Sequence, residues 1–370
     1  MKPLGQKSLV VDGVSVGEDS YLVDKALDLG LSLDVSAPFA ASAGAAESFL
    51  LTGEPKDIPR RIKRAFSYLA RRYGLVVVEG TGHPGVGSVF NLANSSVAAL
   101  LRIPVLLILE GGIGSTIDRF SICRSMFARE QVDILGVIIN KVLPAKAEKV
   151  RAVLDPWFNA RHIPVFGYIP YHSSISNPSL AVLRRELKAE PIILAGTGYD
   201  RLVSGYLAAC GSSPEVVESL RTSTGKVLVV STSRRDVIDA LLARKLSGSL
   251  PDNPQALIMC GAPGVAVEPW VVEACQKLSL PLFQTKEAAE DVAARLHHQV
   301  FKIAPNESLK INEIVELMAT HVDMDAIFAH LQGGPGAGRA RGRRRPGGGL
   351  ISWVFSQPLR VWRRLWGRRG

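Results

Sequence analysis

Short, unbroken apolar runs that end on a polar residue and a glycine turn recur along this chain. Leu75-Val76-Val77-Val78-Glu79-Gly80 and Val105-Leu106-Leu107-Ile108-Leu109-Glu110-Gly111 are two of them, and the run ending Val137-Ile138-Ile139-Asn140 follows the same strand pattern without the glycine turn. Four or more apolar residues in a row suit a strand covered on both faces rather than one with a wet side. A segment of helical pattern follows each run, and that alternation predicts a parallel, doubly wound α/β sheet. The reading along the chain is strand 75–79, helix 89–101, strand 104–110, helix 116–130, strand 134–140, helix 145–160, strand 165–169, a short helix 180–187 and strand 192–195. Ligands of such sheets sit beyond the carboxyl ends of the strands. Glu79, Glu110 and Asn140 each stand at such an end.

Cys210-Gly-Ser-Ser-Pro214 reads as the start of a linker. A second strand–helix series begins at Lys226: strand 227–231, helix 235–246, strand 256–260, helix 270–278, strand 282–285, helix 288–296, and helical pieces over 309–320 and up to Leu331. The expected organisation is therefore a first domain over 1–209, a linker over 210–225, a smaller α/β domain over 226–331 and a tail over 332–370. Gly333–Gly349 is rich in Gly, Arg and Pro, a composition expected to stay disordered.

At 370 residues two domains are the natural expectation. The formal charge of +10 is misleading, because Arg339–Gly370 holds ten arginines and no acid. Without them the first 338 residues carry 34 basic and 34 acidic side chains. A neutral body argues against sequence-specific nucleic-acid binding over the whole surface. Cys123, Cys210, Cys260 and Cys275 lie far apart with no C-x-x-C pair, which points to neither a disulfide framework nor a zinc site. No secretory leader and no membrane-spanning apolar run is visible, so a cytoplasmic setting is expected.

The stretch Glu79-Gly-Thr-Gly-His-Pro-Gly-Val-Gly-Ser88 places one carboxylate before a glycine-rich turn, the way nucleotide-binding sheets present an acid and backbone N–H groups to phosphate. Such sheets usually also hold a Gly-x4-Gly-Lys-Ser/Thr loop, which grips the phosphates and Mg²⁺. No such loop occurs here: Gly225-Lys226 is followed by Val227 and has no glycine five residues before Gly225. Gly80-x-Gly82-x-x-Gly85 also matches the dinucleotide fingerprint by letter, leaving NAD binding as a minor alternative. Pro84 and Gly87 delay the next helix, and Glu79 would repel a pyrophosphate, which both count against that alternative.

Three motifs in register, Glu79–Ser88, Glu110-Gly-Gly-Ile-Gly-Ser-Thr-Ile-Asp118 and Gly136-Val-Ile-Ile-Asn-Lys-Val142, resemble the dethiobiotin synthetase-like, P-loop NTPase domain at the front of long phosphotransacetylases and in stand-alone relatives. Residues 226–331 resemble the DRTGG domain that follows it, with Ser233-Arg-Arg-Asp236 and Cys260-Gly-Ala-Pro-Gly264 as departures. The resemblance implies a P-loop-like sheet without its Walker A unit. In that family a strand ending in Lys-Pro follows the phosphate loop, and here Lys2-Pro3 follows Met1 directly. A central strand would then be lacking, exposing two rows of unpaired backbone groups. A start upstream of Met1 is the first expectation, and a pseudo-nucleotidase repacked around the loss is the second.

The resemblance also implies roles. Lys2 matches the catalytic-site lysine, Asp19 and Glu79 match the Mg²⁺ pair, and Asn140 matches the asparagine that reads adenine. Gly80, Thr81, Gly82 and His83 would face phosphate. Each has a plainer reading: a terminal lysine for Lys2, a helix N-terminal charge for Asp19, a tight turn for Gly80–Gly82, a solvent-facing loop histidine for His83 and a strand-end turn for Asn140. Glu79 favours function, because an acid ending a buried strand needs a partner. In the tail, Trp353, Phe355, Leu359, Trp362 and Trp366 among Arg360, Arg363 and Arg364 suit an anionic membrane surface or non-specific RNA, or a solvated tail that does neither.

These readings lead to a nucleotide- or metabolite-sensing regulatory protein, with ATP and Mg²⁺ as the implied ligands, that does not itself transfer acetyl groups. A protein partner or homo-oligomer is implied as well. The alternative is an ATP-dependent ligase of the dethiobiotin synthetase kind.

Overall fold

The structure, a computed structural model, describes residues 1–333 except 6–7, 12–13, 42–43, 54–56, 173–174, 176, 194–202, 224, 251–253, 262–265, 299–302 and 304–306. The Gly/Arg-rich stretch from 334 onward and the Trp/Arg segment lie outside the described residues. Two compact units emerge, one of 1–171 with the C-terminal segment from Ala319, the other of 172–318. Among the described residues, no helix is long and apolar enough to cross a membrane.

The first unit opens with an antiparallel hairpin, β1 (Ser8–Val11) and β2 (Val14–Gly17). Its main sheet is parallel and three-stranded: β3 (Val105–Glu110), β4 (Ile134–Val142) and β5 (Val165–Pro170), in the order β3-β4-β5. The expected α/β class holds, and these three strands fall where the apolar runs placed them. Leu107 and Leu109 of β3 and Val137 and Ile139 of β4 share one core with Phe120 and Phe127 of the helix Gly114–Arg129 and with Leu154 and Phe158 of the helix Ala147–Asn159. Gly136 is required there, since a Cβ would lie 2.3 Å from the Phe166 ring. The helix Met324–Gly333 covers β4 and β5. A second core forms under the helix Ile58–Arg72, whose Ile58 and Ile62, one turn apart, pack with Phe90, Leu92, Val97 and Leu101.

Two sequence expectations need correction here. Residues 75–79 belong to no sheet strand. Among the described residues, their ladder bonds join them to the first residue: the Met1 amine donates to the Val77 carbonyl at 2.9 Å and the Glu79 N–H donates to the Met1 carbonyl at 2.9 Å. A strand persists only where a neighbour supplies a continuous row of partners, and one residue cannot. Leu75 and Val77 are accordingly 51% and 70% exposed. The helix expected over 89–101 is divided. A 3₁₀ turn at Ser88–Phe90 ends on Asn91 in the left-handed region, at φ 55°, and the α-helix runs over Asn94–Leu101.

The second unit is built on a five-stranded mixed sheet of order β6-β10-β9-β8-β7. Its strands are β6 (Glu190–Ile193), β7 (Gly205–Ala208), β8 (Lys226–Ser231), β9 (Ala256–Cys260) and β10 (Leu282–Thr285). Neighbours pair in parallel from β7 to β10, and β6 runs antiparallel to β10. One face is covered by the helices Ser213–Arg221, Arg235–Leu246 and Pro269–Lys277, the other by Leu180–Glu186 and Ala289–His298. β6, read from sequence as the last strand of the first series, hydrogen-bonds into this sheet instead. The stretch 210–225, read as a linker, carries the helix Ser213–Arg221. The Ser212–Glu215 capping box starts it, with both of its reciprocal bonds present, and its Val216, Val217 and Leu220 are buried. Ser and Pro signalled a boundary, but they mark a helix start.

Burial sets the chemistry of the cysteines. Cys123, Cys260 and Cys275 are buried and Cys210 is exposed. Desolvation pushes the Cys260 thiol up to about 12 and the Cys275 thiol up to about 11, and raises that of Cys123. The thiolate is the reactive form, so iodoacetamide at pH 8 is expected to label Cys210 alone in the native protein and all four cysteines in denaturant, as read by peptide mass spectrometry. The same shifts bear on stability. Unfolded thiols ionise near pH 9 while Cys260 and Cys275 hold their protons, so the unfolded state binds fewer protons and stability falls as pH rises from about 9 toward 12. Urea midpoints taken across that range check it.

Candidate functional site

The site builds from the two ends of the first unit's segment 1–83. Gly17 precedes the helix Glu18–Leu27, which sets Asp19 in its first turn. Lys2 is held by its backbone N–H, which donates to the Ser36 carbonyl at 2.7 Å, and its side chain is only 7% exposed. Its ammonium donates to the Asp19 carboxylate and, at 3.0 Å, to Oε1 of Glu79. The Asp19 and Glu79 side chains are 29% and 56% exposed. A buried cation is thus bridged to two carboxylates that both reach water, and the cluster carries a formal charge of −1. Three residues far apart in sequence, each singled out for its own reason, meet in one place.

The turn after Glu79 is organised by a residue the sequence reading passed over. Asn94, first in the helix Asn94–Leu101, accepts the Thr81 N–H on Oδ1 at 3.1 Å. Its Nδ2 donates to the Thr81 and His83 carbonyls at 2.9 and 2.8 Å. Gly80 lies against it so closely that a Cβ would be 3.0 Å from the Asn94 amide. Thr81 Oγ1 donates to the Leu4 carbonyl at 2.6 Å, and Gly82 takes φ +65°, where glycine costs least. The Thr81 N–H is therefore already spent on Asn94. Among the described residues, the Gly80 and Gly82 N–H groups have no such partner. His83 is exposed, and its Nδ1 accepts the Gly85 N–H at 3.2 Å.

Asn140 stands elsewhere in the unit. It lies on β4 in register with Glu110 of β3, and its Oδ1 accepts the Lys141 N–H at 2.8 Å. Its contacts are thus with β3 and Lys141, and the Lys2–Asp19–Glu79 cluster is built without it. Glu110 meets Lys141 at 3.7 Å. Thr116, buried, sends its hydroxyl back to the carbonyls of Glu110 and Gly112 at 2.7 and 2.9 Å, fixing the turn that follows β3. It acts as a donor to that turn. For the dinucleotide alternative, the glycines of 80–85 lead into a 3₁₀ turn and the α-helix waits until Asn94, so the helix does not open within the glycines as that fingerprint requires.

The donors fit one part of a nucleotide–metal site better than the other. Mg²⁺ takes one or two carboxylates with water and phosphate oxygens, and Asp19 with Glu79 is such a pair. The described residues contain no group of three or more His, Cys, Asp or Glu gathered for a metal. The remaining donors near the cluster are the Gly80 and Gly82 N–H groups and the Lys2 ammonium, the last already engaged by the two carboxylates.

In the second unit, Thr232, Arg235, Met259, Val267, Glu268 and Trp270 line a shallow cleft past the ends of β8 and β9. Arg235 lies 5.2 Å from the Trp270 ring centroid and 3.5 Å from Glu268. Arg234, from the departing Ser233-Arg-Arg-Asp236 motif, turns away to donate to the Ala209 and Gly211 carbonyls at 2.9 and 2.8 Å and to Asp236. It fastens the turn after β7.

Comparison with known proteins agrees with this two-part reading. Residues 1–179 match the AAA_26 family, described as an AAA domain, and residues 182–299 match the DRTGG domain. The phosphate acetyltransferase of Nitratidesulfovibrio vulgaris is 23% identical over 309 residues, 82% of this chain and 43% of that protein. That of Synechocystis sp. is 22% identical over 334 residues, 88% and 47%. An ATP-dependent dethiobiotin synthetase of Anaeromyxobacter dehalogenans is 27% identical over 151 residues, 40% of this chain and 67% of its own. The chain spans about half the length of the curated phosphate acetyltransferases it matches.

Asn94 makes three bonds to one turn, so Asn94→Ala is expected to cost about 1–3 kcal/mol. Urea unfolding measures it, and a loss under about 0.5 kcal/mol would show that the turn holds without it.

Proposed function

Taking as premise a chain that joins an AAA_26 domain to a DRTGG domain, we propose a regulatory protein that senses a nucleotide through the Lys2–Asp19–Glu79 cluster without turning it over. The observation that carries this reading is the Lys2 ammonium lodged between the two carboxylates. Phosphoryl transfer is catalysed by positive charge and N–H donors already aimed at the transferring group. Here the lysine's charge is engaged by carboxylates and the Thr81 N–H by Asn94. A site in that state suits recognition coupled to rearrangement. Mg²⁺ held by Asp19 and Glu79 would displace the ammonium from them and release it toward a phosphate oxygen. The ligand thus favours one arrangement over the other, which is what a sensor requires. The relatives that extend over most of this chain are phosphate acetyltransferases more than twice its matched length. We assign no acetyl transfer to this chain, and regulation of such an activity is the role its matched region suits.

Isothermal titration with ATP, with and without Mg²⁺, paired with a phosphate-release assay, tests the proposal. The expected result is Mg²⁺-dependent binding with no phosphate released, weakened about tenfold or more in Glu79→Gln, a change of about 1.4 kcal/mol. Phosphate release dependent on a carboxylic acid substrate would favour the ligase alternative. No binding of ATP or ADP in either condition would remove the nucleotide from the proposal.

A further inference from the structure

The helix Ile58–Arg72 has two opposed faces. Ile58, Ile62, Ala65 and Leu69 are buried. The other face carries Arg60, Arg61, Lys63, Arg64, Arg71 and Arg72, all exposed, and the helix contains no acid. Arg60, Arg64 and Arg71 stand at i, i+4 and i+11, which sets them in one line about 16 Å long on the side away from the core. Charge is concentrated here: Met1–Tyr171 holds 19 basic and 16 acidic side chains, and the same stretch without this helix holds 13 and 16. A face kept only for solvation ordinarily mixes signs. Three other helices of this chain do so, pairing Glu218 with Arg221, Arg235 with Asp239 and Glu273 with Lys277. Among the described residues, none of the six cations of Ile58–Arg72 is paired with a carboxylate. Arg60 and Arg64 instead repel each other one turn apart, and Arg60 and Arg61 stand near the positive end of the helix dipole. Both features weaken the helix, so the fold alone does not account for them.

We propose that this face docks single-stranded nucleic acid without sequence preference, with its arginines on the phosphates. Five of the six cations are arginine, whose planar fork meets two phosphate oxygens at once where lysine offers a point charge. Towards its C-terminal end the face adds an aromatic element. The Arg72 guanidinium lies 4.3 Å from the Tyr68 ring centroid, and Tyr73, the next residue, is 42% exposed. Unpaired bases stack on tyrosine rings and on guanidinium planes, and every base has a face to stack. A cationic line beside such a platform therefore fits a single strand in both its backbone and its bases. A lipid surface fits less well. A membrane-seeking helix puts its apolar face into the acyl boundary, and here Ile58 and Ile62 are already packed with Phe90, Leu92, Val97 and Leu101. The exposed face offers lipid no large aliphatic side chain. The inference concerns one face of one helix and is independent of the ligand at Lys2.

Fluorescence anisotropy of the full chain with a labelled oligouridylate of about 20 nucleotides tests the proposal. Binding is expected, with log affinity falling linearly in log salt. Arg60→Gln, Arg64→Gln and Arg71→Gln together are expected to weaken it about tenfold or more at low salt and to shallow the slope by about two, since each single-strand phosphate contact contributes about 0.7. The thermal midpoint of this variant should not fall below that of the wild type, because the substitutions relieve repulsion. The arginine-rich tail is present in every sample, so a second variant of equal charge serves as control. Arg119→Gln, Arg124→Gln and Arg129→Gln, on the helix Gly114–Arg129, should leave the affinity within about twofold, as those side chains contact no phosphate in the proposed mode. Ultraviolet cross-linking is expected to place uridine on Tyr68 or Tyr73, read by peptide mass spectrometry. No binding at low salt overturns the proposal, as do equal losses in the two variants or cross-links confined to the tail. Competition by polyglutamate as effective as that by unlabelled oligouridylate overturns it in favour of an acidic protein. Phosphatidylserine vesicles that bind through the same three arginines, while oligouridylate binds both chains alike, overturn it in favour of a membrane.

Discussion

A parallel strand is held by hydrogen bonds to neighbours on both sides, and in the first unit of this chain β3 meets that requirement on one side only. Its composition follows from burial between neighbours, since strands covered on both faces become near-continuous apolar runs. The segment 75–79 has the same composition and even less pairing, with a single residue of partner at Met1. The two anomalies share one cause. Each is a sequence suited to the interior of a sheet, placed where, among the described residues, at most one side of its backbone finds partners. The exposed Leu75, Val77 and Ile108 are the side-chain record of that deficit.

The same constraint sets the character of the candidate site. Without a phosphate loop among the motifs, the cluster's positive charge comes from one lysine, and that lysine is drawn into the Asp19 and Glu79 carboxylates. A buried ammonium needs such partners, because desolvating it unpaired is far costlier than holding it in a bridge. The turn is stabilised in the same economical way, with Asn94 satisfying groups that a ligand would contact. The result is a site at rest on its own side chains. That is the physical basis for reading it as a sensor.

The second unit shows what a complete sheet looks like by contrast. β8 and β9 have strand neighbours on both sides, helices on both faces, and side chains at or near zero exposure. Its edges are short strands, β6 running antiparallel and β7 only four residues long. These are features that leave little unpaired backbone. The raised thiols of Cys260 and Cys275 are a consequence of how thoroughly that interior excludes water.

The α/β alternation, most strand and helix positions and the two family resemblances are legible in the sequence, and the resemblance implied Lys2, Asp19 and Glu79 as site residues. These are legible because periodicity, apolar runs and motif letters are local properties. Tertiary structure decided the rest. It moved β6 across to the second sheet and turned an expected linker into a capped helix, since pairing partners and packing faces are set by distant residues. Residues 75–79 lost their strand because a ladder is a property of two segments. Asn94 became the organiser of the turn because the close approach of Gly80 to it exists only in three dimensions. Whether an apolar run lies inside a sheet or at its rim is written in its neighbours, and for β3 only the fold showed that one of them was absent among the described strands.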